Sequence, residues 1–152
     1  MKTPPASDPA RSALMKRVRQ ARTGAEEEVA AALRRAGLHY RRNAKGLPGA
    51  PDFANRRRGW ALFVNGCFWH HHKNCARGTI PKQNRTFWLE KFAANRARDA
   101  RKAKALRALG FHVAILWECE ARDARRLAAR IGGLARRGGA RGPREEDPRE
   151  LE

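Results

Sequence analysis

The chain has 152 residues, a length typical of one domain with a sizeable core. It carries 34 Lys and Arg against 15 Asp and Glu, and the formal charge of +19 favours a polyanionic partner, most often a nucleic acid. The sequence shows no apolar run long enough for a membrane span, no signal-peptide pattern, and an odd number of cysteines, which argues against a secreted disulfide framework. We therefore expect a cytoplasmic nucleic-acid-binding protein, although biased Arg usage in a genome would also raise the charge.

The first segments of the chain are poor in apolar residues. Residues 1–10 are Pro-rich and are predicted to be disordered. The basic segment 11–24 has only Leu14, Met15 and Val18 as apolar anchors. Because so thin an apolar stripe buries little surface, we expect this segment to act as an arm that becomes ordered on a partner.

A helix is predicted after Thr23, a suitable N-cap with Glu26 three residues later, as a capping box requires. Gly37 suits the C-terminal end of this helix. Glu26 lies at the edge of the apolar face and Glu27 points nearly opposite, so Glu26 is the carboxylate most able to point inward. A role of Glu26 as the capping-box acid alone explains the pattern equally well. The apolar face consists of Ala25, Val29, Ala32, Leu33 and Ala36.

The following segments alternate between strand and helix patterns. The stretch "DFANRRRGWALFV" predicts a hairpin, and "FHVAILW" is apolar nearly throughout, as in a central strand. The order of elements predicts an α/β domain over residues 25–135, with a mixed central sheet flanked by helices. The further predicted elements are strands at 38–43, 52–54, 60–64 and 111–117, helices at 85–109 and 121–130, and a disordered tail at 136–152.

The stretch "GCFWHHHKNC" contains two of the three cysteines and three histidines. A structural zinc site requires four Cys or His ligands. Cys67 and Cys75 lie one loop apart, and Cys119, which follows the last predicted strand, would lie beside them if two strands are neighbours. His72 leaves a favourable spacing of two residues before Cys75, with His71 as the alternative. The pattern thus predicts a Cys3His zinc site, against the alternative of unrelated cysteines beside a solvated His run.

Several polar residues are candidates for catalysis. Asp52 follows Pro51 at the start of a strand, where it could hold Mg²⁺ with backbone oxygens and waters, although Pro-Asp is usually only a turn. His70 is the best candidate for a general base, since imidazole titrates near neutral pH. Asn95 and Asp99 interrupt the apolar stripe of the long helix, and buried polar groups need partners. Asp99 could fix the tautomer of His70, or it could pair with a surface Arg instead.

The aromatic residues fall into two groups. Phe68 and Trp69 lie in the stretch 66–75, which we call the Cys/His loop, and Trp88 lies at the start of the long helix. In a chain of such positive charge, they could form a wedge that enters a base stack, at a cost that is lowest at a mismatched pair. The other three large aromatic residues considered are expected in the core: Trp60, Phe92 and Trp117.

Several of these motifs together resemble one family. The stretches "LPGAPDF", "GCFWHHHKNC", "FWLEK" and "LGFHVAILWEC", within residues 11–119, closely resemble the very-short-patch-repair (Vsr) mismatch endonucleases of bacteria. The resemblance implies a fold like that of type II restriction endonucleases. It also implies a strand-specific nick 5′ to the thymine of a T:G mismatch in double-stranded DNA, arising from deamination of 5-methylcytosine. We expect a monomer with no membrane association, and the sequence leaves open whether mismatch-repair proteins assist.

The resemblance also implies roles for individual residues. Asp52 corresponds to the family's metal-binding acid, His70 to its general base and Asp99 to the acid paired with that base. Glu26 corresponds to the helix carboxylate that orders metal-bound water, and Met15 to the residue that reaches the DNA from the minor-groove side. The implied structural Zn²⁺ ligands are Cys67, His72, Cys75 and Cys119. The implied major-groove wedge consists of Phe68, Trp69 and Trp88.

The sequence departs from the family pattern at two places. Val64 and Asn65 stand where the family often has Thr-His. Val64 is acceptable if it offers Mg²⁺ only its backbone carbonyl, but Asn65 cannot act as an acid or base. The loop before Cys75 is one residue longer than in familiar members, so the choice between His71 and His72 stays open. The E-x-K motif of ordinary restriction enzymes is absent from "WALFVNG", which leaves the base role to the catalytic histidine.

The sequence thus favours a Mg²⁺-dependent, zinc-containing mismatch endonuclease. A non-catalytic zinc-containing DNA-binding module is the alternative, since it would keep the cysteines and the charge. Such a module would not need Glu26, Asp52, His70 and Asp99 together. An Arg-rich RNA-binding protein is a third hypothesis, which the aromatic wedge and the Pro-Asp pair disfavour.

Overall fold

A computed structural model of the protein describes residues 24–137. The predicted N-terminal segment, including Met15, and most of the predicted tail lie outside the described residues. No helix within 24–137 has the length and apolar character needed to cross a membrane. The described elements, in chain order, are α1 (Gly24–Arg35), β1 (Arg41–Arg42), β2 (Phe53–Asn55), β3 (Trp60–Asn65), α2 (Arg85–Ala108), β4 (His112–Trp117), α3 (Glu118–Ala121) and α4 (Ala124–Arg137).

The four strands form one mixed sheet in the order β1-β2-β3-β4. The first three strands pair antiparallel, with Phe53 opposite Leu62. β3 and β4 pair in parallel over six positions, from Trp60–His112 to Asn65–Trp117. Because parallel strands end at the same edge of a sheet, the segments after β3 and after β4 begin side by side. This pairing brings the Cys/His loop close to Cys119.

Helices cover both faces of the sheet, and strand alternation separates the two cores. Phe53, Leu62 and Leu116 are buried on one face together with residues of α1, α3 and α4. Ala54 and Ala61 are buried on the other face together with residues of α2. They are cross-strand partners, and their small side chains leave room for α2 to pack close to the sheet. The predicted α/β architecture with a mixed sheet is confirmed.

Two predicted elements differ in length from the observed ones. The strand predicted at 38–43 is reduced to Arg41–Arg42, because Asn43 adopts a positive φ of 48° and ends the ladder. The last helix runs further than predicted, through two glycines to Arg137. Leu134 is buried against the same core as Leu127. This burial outweighs the cost of about 1 kcal/mol that a helical glycine carries.

Candidate active site and metal centre

The loop after β3 is folded tightly by its own backbone. The His70 amide donates to the Gly66 carbonyl and the His72 amide donates to the Cys67 carbonyl, at 3.2 and 2.8 Å. The chain then returns so closely that a Cβ at Gly78 would lie 2.1 Å from the His72 carbonyl oxygen. Only glycine fits there, and its place in the sequence gives no hint of this contact. The loop therefore holds its side chains on a compact backbone.

This loop and the short helix α3, which directly follows β4, bring four potential metal ligands together. One ligand atom from each of four side chains lies within 4.8 Å of all the others, and the cluster consists of Cys67, His72, Cys75 and Cys119. Cys119 Sγ lies 3.6 Å from His72 Nδ1. Neighbouring ligands in a tetrahedron around zinc are separated by about 3.5–3.8 Å, given bonds of about 2.0–2.3 Å. The four residues thus fit a tetrahedral metal ion, and the group includes the chain's three cysteines, as expected.

The thiols of this cluster differ in their surroundings. Burial raises the pKa of Cys67 to about 12, whereas a backbone hydrogen bond from Arg77 lowers the pKa of the partly buried Cys75 thiol. A thiol must lose its proton to bind metal. Cys67 would therefore keep its proton without a metal ion and release it to one.

The three histidines of the loop point to different neighbours. His72 lies in the Cys/His cluster and stacks on Trp117, with ring centroids 4.1 Å apart and planes at 7°. His71 instead stacks on Phe92, and its Nδ1 is buried without a hydrogen-bond partner. Of the two histidines that the sequence left open, the structure brings His72 to the cysteines. Trp117, expected in the core, is only partly buried and covers this histidine.

His70 contacts a carboxylate of the long helix. Its Nδ1 lies 2.5 Å from Asp99 Oδ2, and both side chains are only partly buried. A carboxylate at Nδ1 favours the tautomer in which this nitrogen carries the proton, which leaves Nε2 able to accept one. Asn95, one helical turn earlier, donates to the Trp69 carbonyl at 2.9 Å. The two polar residues that interrupt the stripe of α2 thus both bind the Cys/His loop, and Asp99 has the partner that the sequence suggested.

Asp52 lies just before β2, next to the end of β3. Its Oδ2 accepts a hydrogen bond of 2.7 Å from the Val64 amide. Burial raises the pKa of Asp52 from 3.8 to about 6; the Val64 hydrogen bond lowers it and the charge of Glu26 raises it. His70 and Lys102 also act on this carboxyl through their charges. The charges of two other catalytic candidates, Glu26 and His70, thus both act on the Asp52 carboxyl.

Glu26 points inward from α1, as the helical wheel predicted. It is 6% exposed, whereas Glu27 is exposed. Arg42 on β1 lies 3.9 Å from the Glu26 carboxylate and 3.0 Å from that of Glu27. The guanidinium of Arg42 also lies over the Phe53 ring, 5.3 Å from its centroid. This arginine offsets part of the negative charge of Glu26 and Glu27.

The candidate wedge residues form one aromatic cluster. Phe68 packs edge-on against Trp69 and Trp88, with ring centroids 5.1 and 5.5 Å apart. Phe92 closes the base of the cluster and is fully buried, as expected. Trp88 is only 7% exposed, so in this structure it supports the other two rings from below. Phe68 and Trp69 are partly exposed and are the members able to contact a partner directly.

Sequence comparison now places the chain among known proteins. Residues 6–77 match the profile of the family described as DNA mismatch endonuclease Vsr. A type II nicking enzyme, V.XorIIP of Xanthomonas oryzae pv. oryzae, is 44% identical over 121 residues, which cover 80% of this chain and 88% of the relative. The chain belongs to the Vsr family. The DNA mismatch endonuclease Vsr of Escherichia coli K12 is 38% identical over 117 residues, covering 77% of this chain and 74% of that enzyme.

Membership of the Vsr family makes this chain a DNA endonuclease of restriction-endonuclease-like fold. A third relative, the type II nicking enzyme V.NmeAIP of Neisseria meningitidis serogroup A, is 36% identical over 126 residues, covering 83% of this chain and 89% of the relative. The resemblance drawn from the motifs alone is thereby confirmed at the level of the family. Alternatives without DNA cleavage, including the RNA-binding hypothesis, lose their support.

Some residues that shape the Vsr-family site were not identified from the sequence. Lys102 on α2 acts on Asp52 through its charge, and Trp117 covers His72. Glu118 pairs with Arg77 at 3.1 Å and with Arg122 at 2.9 Å, and so joins the Cys/His loop to α3. Of these residues, only Lys102 could have been found from the sequence, because its spacing of three residues from Asp99 places both side chains on one face of the long helix.

Proposed function

We propose that this protein is a strand-specific endonuclease that nicks double-stranded DNA 5′ to the thymine of a T:G mismatch. The observation that carries the proposal is the contact between His70 Nδ1 and Asp99 Oδ2, together with the partly buried Asp52 carboxyl on which the charge of His70 acts. A non-catalytic DNA-binding module would gain nothing from a paired imidazole and a carboxylate kept at a raised pKa. The names of the relatives, a mismatch endonuclease and nicking enzymes, support the same reaction.

Two metal ions are part of the proposal. Cys67, His72, Cys75 and Cys119 would hold a structural Zn²⁺, because their ligand atoms are close enough for one tetrahedral ion. Asp52 would hold Mg²⁺ together with the Val64 backbone carbonyl. The raised pKa of Asp52 supports this, since a cation would relieve the cost of an ionised carboxylate buried near Glu26. Bound Mg²⁺ would supply positive charge to the phosphodiester and to the attacking water.

In the proposed reaction, residues of the chain itself carry out the proton transfer. His70 accepts the proton of the attacking water at Nε2, because Asp99 holds the proton on Nδ1. The carboxylate of Asp99 also stabilises the imidazolium that results. Glu26 faces inward from α1 and would order water beside a bound Mg²⁺ ion. Asn65 is buried at the end of β3 and has no group that titrates, so it takes no part in proton transfer.

Mismatch recognition is proposed to rest on the aromatic cluster. Phe68 and Trp69 are partly exposed above a buried base formed by Trp88 and Phe92. Rings supported in this way can enter a base stack, which costs least where a pair is already mismatched. Met15 would contact the DNA from the other groove, as the family resemblance implies.

A nicking assay tests the proposal. Purified protein with Mg²⁺ is incubated with a duplex that carries one T:G pair and with a matched T:A duplex, and each strand is labelled in turn. We expect one nick, in the thymine strand of the T:G duplex, 5′ to that thymine. Nicking that is equal in both duplexes or both strands would contradict mismatch specificity. No nicking, with tight mismatch binding retained, would instead favour the DNA-binding module.

A further inference from the structure

One lysine of the long helix lies against the loop that leads to Asp52. Lys102 stands three residues after Asp99 on α2, so both side chains leave the same face of this helix. Its stem packs on Gly49, where an added Cβ would lie 2.6 Å from Lys102 Cγ and 2.7 Å from its Cβ and Cδ. Gly49 also has a positive φ of 74°, so this contact depends on glycine. The backbone of the loop therefore fixes the direction of the lysine stem.

The ammonium group of Lys102 is close enough to act on Asp52 but is not neutralised by it. Its charge lowers the pKa of Asp52, in the same direction as that of His70. None of the salt bridges found within residues 24–137 involves Lys102. A lysine whose stem is held, and whose charge has no ion-pair partner among the described residues, is suited to bind an anion from outside.

A cation at this position would also offset the negative charge of the carboxylates in the site. A phosphodiester that approaches Asp52 meets two carboxylates, since Glu26 acts on the same carboxyl group. Arg42, which offsets part of the charge of Glu26, is already engaged with Glu27 at 3.0 Å. On the α2 side of the site, Lys102 is the cation whose charge acts on Asp52, and it could offset the charge of the phosphate.

We propose that Lys102 is a phosphate-binding residue of the active site, and that its ammonium group contacts a non-bridging oxygen of the phosphodiester that is cut. The proposal rests on the proposed endonuclease function and adds a residue to it. Lys102 would provide a fixed positive charge that stabilises the extra negative charge of the transition state.

Single-turnover nicking of the T:G duplex gives the first test. We expect Lys102→Met to lower the rate at saturating protein by roughly 10- to 100-fold, and Lys102→Arg to restore part of it. Lys104→Met is the matched control, since Lys104 is exposed on the same helix and points away from Lys102. All three variants should keep the metal content and melting temperature of the native protein. An unchanged rate in Lys102→Met would overturn the proposal.

A second measurement separates contact with phosphate from a structural role. Duplexes with and without a neutral methylphosphonate at the cut position are bound without added Mg²⁺, so that no cleavage occurs. We expect the neutral group to weaken binding of the native protein and of Lys104→Met by roughly tenfold, but that of Lys102→Met by less than twofold. Equal weakening in all proteins would show that Lys102 does not contact this phosphate.

The two proposals fail in different ways. Nicking without preference for T:G would contradict the proposed mismatch specificity, and the methylphosphonate comparison would then be made at the phosphate that is cut. A specific T:G nick with no coupling between Lys102 and that phosphate would contradict only the role of Lys102. Failure to nick any duplex would overturn both.

Discussion

The proposed zinc centre and the proposed catalytic cluster share one loop, which carries His70 and three of the four metal ligands, but they are built in opposite ways. The metal ligands come from one short loop and the short helix α3, and they are close enough to share a single ion. The catalytic candidates Glu26, Asp52, His70 and Asp99 come from four separate segments. One of these candidates, Asp52, has a carboxyl group whose ionised form is disfavoured by burial. A zinc ion bound at the first site would therefore stabilise the fold, whereas the ionised Asp52 carboxylate of the second site destabilises it.

The difference has a consequence for the effects of mutation. Removal of a metal ligand should cost stability first and activity as a result. Removal of a catalytic carboxylate should cost activity while it leaves the fold intact or even stabilises it. Measurements of stability and nicking on the same variants would distinguish the two sites.

The largest effect is expected for Cys119→Ser. This variant should lose the zinc ion and the folded state of residues 66–78, because structural zinc contributes an apparent ~10–16 kcal/mol in small sites. Elemental analysis and a thermal melt would measure both losses. Treatment of the native protein with a strong chelator should lower its melting temperature towards that of the variant and leave the variant itself unchanged. A native protein without zinc would refute the ligand assignment.

His70→Ala should have the next largest effect, on the rate alone. General acid–base catalysis is worth roughly 10²- to 10⁴-fold, so nicking should fall by that factor. Asp99→Asn should cause a smaller loss, since the imidazole remains but its tautomer is no longer fixed. Quantified nicking would be compared with mismatch binding and zinc content, which should both persist. If folded His70→Ala no longer bound the mismatch, His70 would belong to recognition instead.

Asp52→Asn should abolish nicking but stabilise the protein without Mg²⁺. The pKa of Asp52 is raised from 3.8 to about 6, so the folded state binds its proton more tightly than the unfolded state. Stability from this group is therefore present at low pH and is lost as the pH rises from about 4 to 6, by up to about 3 kcal/mol.

Urea unfolding of Asp52→Asn and of the native protein at several pH values would measure this effect. The variant should be more stable at pH 7, and the difference should vanish near pH 4. Asn is a suitable change because its amide oxygen can still accept the hydrogen bond from Val64. A variant less stable than the native protein at pH 7 would show that the Asp52 carboxylate supports the fold. Mg²⁺ should stabilise only the native protein.

The smallest effect on stability is expected for Trp69→Ala. Trp69 is partly exposed, so the loss should be well below the roughly 3–5 kcal/mol expected for Phe92→Ala beneath it. The preference for T:G over T:A duplex should nevertheless fall by about tenfold, since stacking is worth roughly 1–3 kcal/mol per base. Thermal melts and competition titrations of both variants would test this. A large fall in melting temperature with unchanged preference would make Trp69 an ordinary core residue.

The metal ligands were the part of the site most open to prediction. All three cysteines of the chain were available for one site, and the parallel pairing of β3 with β4 brings Cys119 to the loop, as anticipated. The choice between His71 and His72 depended on how a loop with two positive-φ residues turns, at His71 and Asn74. Such turns follow from tertiary contacts, so spacing alone could not decide between the two histidines.

The acidic candidates were harder to separate from structural residues. Glu26 fits a capping box equally well, and Asp99 could have been a surface partner of an Arg. The burial of Glu26 and the contact of Asp99 with His70 are visible only once helices are placed against the sheet. Lys102 was missed for the same reason, because its position depends on the close approach of α2 to Gly49.

The parallel pairing of β3 and β4 also determines when activity can arise during synthesis. His70 lies on a loop whose four potential metal ligands are complete only when Cys119 is present, after the whole of α2 and β4. A nascent chain that ends within α2 already contains Asp52, His70 and the aromatic residues, but it lacks the last thiol. Because contacts distant in sequence form late, the nuclease should mature in one final step. Unfinished chains that lack Cys119 would thus lack the complete metal site and should not nick DNA.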